Sequence, residues 1–417
     1  MTTTPMCQLP SEPEASMLIP ATAAIAAALR TMRPTRAIVD LDAIAANFAY
    51  LRERARGCEV LCVVKADAYG HGAIPVARRL QEEGARWFGV ALVEEGIELR
   101  SAGLSERILL LGGADFAQLE LAVANDLTPA VVSHESFDAL EGLARRLGRP
   151  LACHLKLDTG MSRLGIVWSE FSEFVARLRP DGPVRIEGLF THLASSDDPS
   201  VPFTRVQLDR FHECRDIMAA RGLPRPMLHV ASSAGLLTRA ESDVQIVRPG
   251  LALYGLNPFG NQRAPELTPA LALVSRVERV ADFPAGTSVG YGGAFITTRA
   301  SRLATIPAGY EDGLSRALFD SWEVALGGAL VPLVGRVSMD LVVADVTDVE
   351  GVAVGDDVAL VGGPAPAHPI EEMARRVRTI PYEVTCSIST RVPRVHLAGG
   401  KIVGVSSRFG HVFAWDA

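Results

Sequence analysis

The chain has little of what nucleic-acid binding, disulfide stapling or membrane insertion would require. Its 417 residues carry a formal charge of −7, and no basic stripe is present to neutralise a phosphate backbone, so nucleic acid is not an expected partner. Cysteine is sparse and scattered. The six residues (Cys7, Cys58, Cys62, Cys153, Cys214, Cys386) include no Cys-x-x-Cys pair and none that clusters with histidine at zinc-ligand spacing. They read as reduced, mostly buried thiols of a cytoplasmic protein, with no metal site. The nearest approach to a long hydrophobic run is the alanine-rich stretch Met17 to Met32, which is too short and too proline-interrupted to span a bilayer. No lysine or arginine precedes Arg30, and Glu12 and Glu14 stand where a secretory leader needs positive charge. The expectation for residues 1–35 is therefore a flexible, frayed or helical extension with no targeting role. Heptads and internal repeats are absent too.

What is present is alternation. From Ala37 to Pro249 short apolar runs alternate with helical patterns, the signature of a parallel sheet with crossover helices. Eight runs can be counted: Glu59–Val64, Trp87–Leu92, Arg107–Leu111, Thr128–Val132, Leu151–Leu157, Val184–Thr191, Met227–Ala231 and Val244–Val247. Phe203–Arg221 is the clearest helix between them. Eight strands in βα order predict a closed (β/α)8 TIM-like barrel over residues 36–269. Beyond about residue 270 the texture changes to short Val/Leu-rich runs separated by glycine and proline, such as Ala270–Val280, Arg302–Ile306, Val331–Val337 and Asp356–Val361. These predict a smaller, mainly β domain over 270–417, in which Gly327-Gly328, Gly362-Gly363-Pro364 and Gly399-Gly400 are turns.

In such a barrel, function sits on the loops after the strands. Lys65 follows the first run and precedes a glycine-flanked turn, which makes it a candidate Schiff-base former. Lys156 and Arg163 lie at the end of the fifth run, His192 follows the sixth, Ser233 the seventh and Arg248 the eighth. Polar residues without a shared role would scatter over both rims. Taken singly, each has a plainer reading: a paired surface arginine, a satisfied buried histidine, a structural serine.

The octet Val64-Lys65-Ala66-Asp67-Ala68-Tyr69-Gly70-His71 resembles the pyridoxal-phosphate segment of alanine racemases. The resemblance continues in order through Lys156 to Gly165, Thr191-His192-Leu193-Ala194, Arg248 to Gly255, Gly290-Tyr291-Gly292, Pro307 to Tyr310, Gly335 to Asp340 and Pro381-Tyr382-Glu383-Val384. It spans about residues 36 to 397.

It implies an isomerase that interconverts L- and D-alanine and supplies D-alanine for peptidoglycan, with pyridoxal phosphate as electron sink. By the same resemblance Lys65 holds the cofactor and is the base on one face of the substrate. Tyr291 is the base on the other, delivered across a head-to-tail homodimer. An ordinary phenol is a poor base near neutrality; the family's remedy, carried over, is a chain in which His192 contacts Tyr291 and Arg248 contacts His192. Arg248 also meets the cofactor's pyridine nitrogen, to which it cannot readily give a proton. Tyr69, Ser233, Gly250, Leu251 and Tyr382 match phosphate ligands. Arg163 and Met339 match substrate-site residues, Lys156 a lysine often carbamylated, and Asp197, Tyr310, Arg316, Arg336 and Ile380 an entry corridor.

Three positions depart from the commoner pattern, namely Ser162, Ser232 and Pro381. They leave the catalytic set intact and bear on substrate breadth, so serine stays open as a substrate. Two rivals are an amino-acid decarboxylase and a non-catalytic pyridoxal-phosphate-binding protein of single-barrel type. Tyr291 and Arg248 argue against the first, and the C-terminal domain argues against the second.

Overall fold

The computed structural model describes residues 22–198, 200–239, 243–260, 264 and 266–416. Cys7 and the first 21 residues of the expected extension lie outside that set. The described residues form two compact units, one comprising Asn47–Ala68 and Val76–Leu253, the other the residues up to Ala46, Tyr69–Pro75 and Tyr254 onward.

The first unit is the barrel. Its strands are β1 (Glu59–Val63), β2 (Trp87–Val90), β3 (Arg107–Leu110), β4 (Ala130–Val131), β5 (Leu151–Asp158), β6 (Val184–Phe190), β7 (Met227–His229) and β8 (Ile246–Val247). All eight coincide with the runs read from sequence. Most are buried residue after residue, as parallel strands covered on both faces must be. Two parallel ladders, β8-β1-β2-β3 and β4-β5-β6-β7, account for every strand. Single parallel bridges, Leu109 with Thr128 and Ser232 with Arg248, join them at both seams and close the barrel. The expected helix over 203–221 is present as Phe203–Ala220.

The second unit is built on an eight-stranded sheet and smaller β ladders. Gly327-Gly328 and Gly399-Gly400, all with positive φ, turn the hairpins Glu323–Leu326 to Ala329–Pro332 and Arg394–Ala398 to Lys401–Ser407. The packing does not follow the linear division at residues 36 and 270. Strand Arg36–Asp40 lies between Leu271–Arg276 and Arg394–Ala398 in the large sheet and contributes nothing to the barrel.

The extension, expected to be flexible, frayed or helical, is helical over part of its described residues. Ala23–Thr31 is a helix, capped by the Thr22 side chain, and it is anchored. Ile25 is fully buried against Ile38, Ala272, Val274, Val395 and Val405, with Leu29 and Met32 packed beside it. That i, i+4, i+7 spacing gives the helix one apolar stripe to bury. Of the five described cysteines, Cys62, Cys153 and Cys214 are buried, and none of the five forms a disulfide. Among the described residues no helix is long and apolar enough to cross a membrane.

Candidate active site at the barrel mouth

Lys65 stands two residues beyond β1, where the barrel wall gives way to an unusual turn. Ala66, Asp67, Ala68 and Tyr69 all have φ between 53° and 55°. Four consecutive L-residues in the left-handed region cost about 1–2 kcal/mol each. The turn is therefore held by its surroundings. The Ala68 N–H donates to the Val64 carbonyl (2.9 Å), and the Ala66 N–H to Glu95 Oε1 (2.7 Å). The other oxygen of Glu95 accepts from Ala91 and Leu92 after β2. Gly70 ends the turn, and any Cβ there would overlap the Thr385 carbonyl.

Lys156 points from the end of β5. Its Nζ donates to the Leu111 carbonyl (2.9 Å) and lies 5.5 Å from the Phe190 ring centre. Lys156 forms no ion pair with Asp158 or Glu187. Asp158 instead accepts the backbone N–H groups of Gly160, Ser162 and Arg163 at 2.9–3.0 Å and so shapes the loop that presents Arg163, while Glu187 meets Arg107. Burial, then the charges of Arg248, Arg163 and Lys65, push the Lys156 amine down to about 8.

His192 follows β6 in a loop braced by the buried Gln207. Its Nε2 donates to the His192 carbonyl (3.0 Å) and to Thr159 Oγ1 (3.2 Å), and its Oε1 accepts from the Ala194 N–H. Burial, and after it Arg248, Arg163, Lys156 and Lys65, push the His192 imidazole down to about 3. Four cations thus crowd one neutral ring, an arrangement suited to an anionic small molecule.

Arg248, just beyond β8, departs from expectation. It does not hydrogen-bond the His192 ring. Nη1 donates to the His229 carbonyl (2.7 Å) and Nδ1 (3.1 Å), and Nη2 to the carbonyls of Thr191 (2.7 Å) and Val230 (3.3 Å). All four terminal N–H groups are spent on the barrel wall, leaving Nε–H. Burial lowers its pKa to about 10, so it stays charged at neutral pH.

Ser233 is 2 % exposed. Its Oγ accepts the N–H groups of Gly250 (2.9 Å) and Ala252 (3.2 Å). With both lone pairs occupied, the hydroxyl has only its proton to offer, which suits an anion's oxygen. Gly250, expected as a backbone phosphate ligand, spends its N–H on Ser233 instead. Asp197 is exposed on the loop after β6.

The second unit carries the other expected residues. Tyr69 is nearly buried, with its ring 4.9 Å from Tyr254 and 5.8 Å from Tyr382. Tyr291, Tyr310, Arg316 and Met339 line one open cavity of about 880 Å³. Tyr291 is 68 % exposed and Met339 49 %. Ile380 and Arg336 are exposed outside that lining. Sequence reasoning missed Glu95, Gln207, Thr191 and His229; of these only His229, a histidine in an apolar barrel strand, gave a visible signal.

Two family descriptions match this chain, the alanine racemase N-terminal domain over residues 39–258 and the alanine racemase C-terminal domain over residues 270–396. The chain belongs to the alanine racemase family. It is 42% identical over 367 residues to an alanine racemase of Symbiobacterium thermophilum, covering 88% of this chain and 97% of that protein. Among solved structures, the alanine racemase of Bacillus anthracis with bound L-Ala-P superposes with a TM-score of 0.84 at 32% identity, over 91% of this chain and 98% of that one. The alanine racemase of Bartonella henselae with covalently bound pyridoxal phosphate superposes with a TM-score of 0.80 at 31% identity, over 88% of this chain and 100% of that one. The family's architecture, a barrel and a mainly β domain, is the one seen here.

Proposed function

We propose that the protein is an alanine racemase that uses pyridoxal phosphate to interconvert L- and D-alanine in the cytoplasm and supplies D-alanine for peptidoglycan. The observation that carries this reading is the placement of Lys65, Lys156, His192, Ser233 and Arg248 at the carboxyl ends of the barrel strands, with the Ser233 hydroxyl left only a proton to offer an anion. The cofactor, attached at Lys65, supplies the electron sink that makes loss of the substrate Cα proton feasible.

This chain's residues do the rest. Lys65 moves that proton on one face. Arg163, exposed and planar, binds the substrate carboxylate with two parallel N–H groups. Arg248 presents Nε–H to the pyridine nitrogen and, still charged at neutral pH, withholds a proton from it. Ser233, the Leu251 N–H, Tyr69 and Tyr382 hold the phosphate. Tyr291 acts on the opposite face from a second copy of the chain in a head-to-tail dimer, and His192, being neutral, can accept its phenolic hydrogen bond. Met339 closes the substrate site beside Tyr291, and Tyr310, Arg316, Arg336, Ile380 and Asp197 line the way in. Lys156 is carbamylated: a neutral amine adds carbon dioxide with loss of a proton, and the one N–H that remains can still meet the Leu111 carbonyl.

A chiral assay starting from L-alanine tests the reading. D-alanine should accumulate to an equal mixture and should not form with Lys65→Ala. Cofactor bound at Lys65 with no D-alanine formed would reject it.

A further inference from the structure

The barrel interior holds a buried pair of histidines that the proposed chemistry leaves unused. His154 Nδ1 on β5 lies 2.9 Å from His229 Nε2 on β7, and His229 Nδ1 lies 3.1 Å from Arg248 Nη1. Both rings are fully buried. The space for His154 is built in, because it pairs across the ladder with Gly188 on β6, and a Cβ on Gly188 would overlap the imidazole. His229 is clamped by the Phe190 ring, stacked at 4.6 Å and 10°.

The protons on this row can be assigned one after another. Arg248 has only donors, so His229 Nδ1 must be its bare lone pair. His229 then carries its proton on Nε2 and donates it to His154 Nδ1. That atom must accept, so His154 carries its own proton on Nε2. His154 Nε2 is buried and has no hydrogen-bond partner among the described residues. An orphaned buried donor is unfavourable, and leucine would avoid it; an imidazole here makes sense if its other nitrogen is needed. Burial, aided by Arg107 and Arg248, holds His154 down to about 3, and burial and Arg248 hold His229 well below its usual value, so neither ring gains a second proton near neutrality.

We propose that His154 is a positioning residue for Arg248: by accepting the His229 Nε2–H it fixes the tautomer whose Nδ1 receives Arg248, and so holds the guanidinium with Nε–H as its remaining donor. The proposal rests on the reading that Arg248 serves the cofactor ring. Without His154, His229 can move its proton to Nδ1, where N–H would face N–H and the guanidinium would turn.

The test uses the holoenzyme labelled with ¹⁵N-histidine and long-range ¹H–¹⁵N correlation at neutral pH, with His154→Asn and His154→Leu as variants. The Asn side-chain oxygen falls near the imidazole Nδ1 and can still accept; Leu cannot. In the wild type both rings should show a protonated Nε2 and a bare Nδ1. His154→Leu should shift His229 toward the other tautomer and lower kcat by about 10- to 100-fold with little change in KM, the scale of losing a hydrogen bond to a charged group. His154→Asn should keep the His229 tautomer and recover most of the rate. A protonated His229 Nδ1 in the wild type overturns the proposal, as do Asn and Leu variants of equal activity. The wild-type spectrum decides alone if the Leu variant does not fold. The tautomers are read without turnover, so a protein that shows the predicted tautomers yet makes no D-alanine would sink the racemase reading and leave the relay standing.

Discussion

Mild acid should unfold the apoprotein at a pH where ordinary carboxylates have barely begun to titrate, because His154, His229 and His396 are all fully buried. Burial pushes His154 and His192 down to about 3 and His396 to about 4, and His229 lies well below its usual value. In the unfolded chain each returns to about 6.5. A lowered native pKa leaves stability intact above the unfolded pKa. As pH falls through 6.5 the unfolded chain takes up protons that the native rings refuse, and stability is lost until His396 begins to protonate in place near pH 4. At pH 5 His154, His192 and His396 each cost roughly 2 kcal/mol, so together they remove about 6 kcal/mol with nearly three protons taken up on unfolding, and His229 acts in the same direction. That is a large share of the roughly 5–15 kcal/mol that stabilises a typical fold. Urea denaturation of the apoenzyme at closely spaced pH values from 7.5 to 5, with proton uptake measured by back-titration, gives both quantities. His154→Asn should remove about one proton of the uptake at pH 5 and about 2 kcal/mol of the loss. Uptake of fewer than one proton at pH 5, or a urea midpoint that does not move, would refute the reasoning.

Other consequences are equally accessible. Ala66 is exposed with φ 54°, so Ala66→Gly relieves about 1 kcal/mol of left-handed strain against a similar gain in unfolded-chain entropy. Its melting temperature should hold or rise, whereas the usual loss for a helical Ala→Gly would show that the turn is unstrained. Lys156, pushed down to about 8, should give a carbamate carbonyl resonance when the protein is supplied with ¹³C-bicarbonate. No signal, or one that persists in Lys156→Arg, counts against the modification. Lys65→Ala and Tyr291→Phe, each inactive alone, should recover about a quarter of wild-type activity when refolded together with cofactor, since half of randomly assorted dimers are mixed and each has one intact site. Confirmed heterodimers without activity would exclude a shared site.

The barrel was legible because strands buried on both faces leave apolar runs that need no partner to be recognised, and all eight were found where the runs lie. The mouth was legible because Lys65, Lys156, His192, Ser233 and Arg248 each sit at a strand's carboxyl end. What lay hidden depends on register and on backbone conformation. That Arg248 turns to His229 and not to His192 follows from which side chains share one layer of the barrel, and a bulge between Cys153 and His154 sets that layer. The left-handed path of Ala66 to Tyr69 leaves no trace in composition, since none of the four is glycine. Arg36–Asp40 looked like part of the barrel because an apolar strand carries no label for the sheet it joins.

That last strand bears on how the chain is made. Ala37 pairs with Arg394, and its other neighbours begin at Leu271. At a ribosomal rate of about 5–20 residues per second, the strand emerges roughly 20–70 s before the parallel partner on its far side exists. The barrel can close in the meantime, but the sheet that receives the first strand cannot. A chain released before Arg394–Ala398 is synthesised would leave that strand edge open to other chains. Synthesis through that strand, and not completion of the barrel, is the point at which the protein's first strand becomes safe from aggregation.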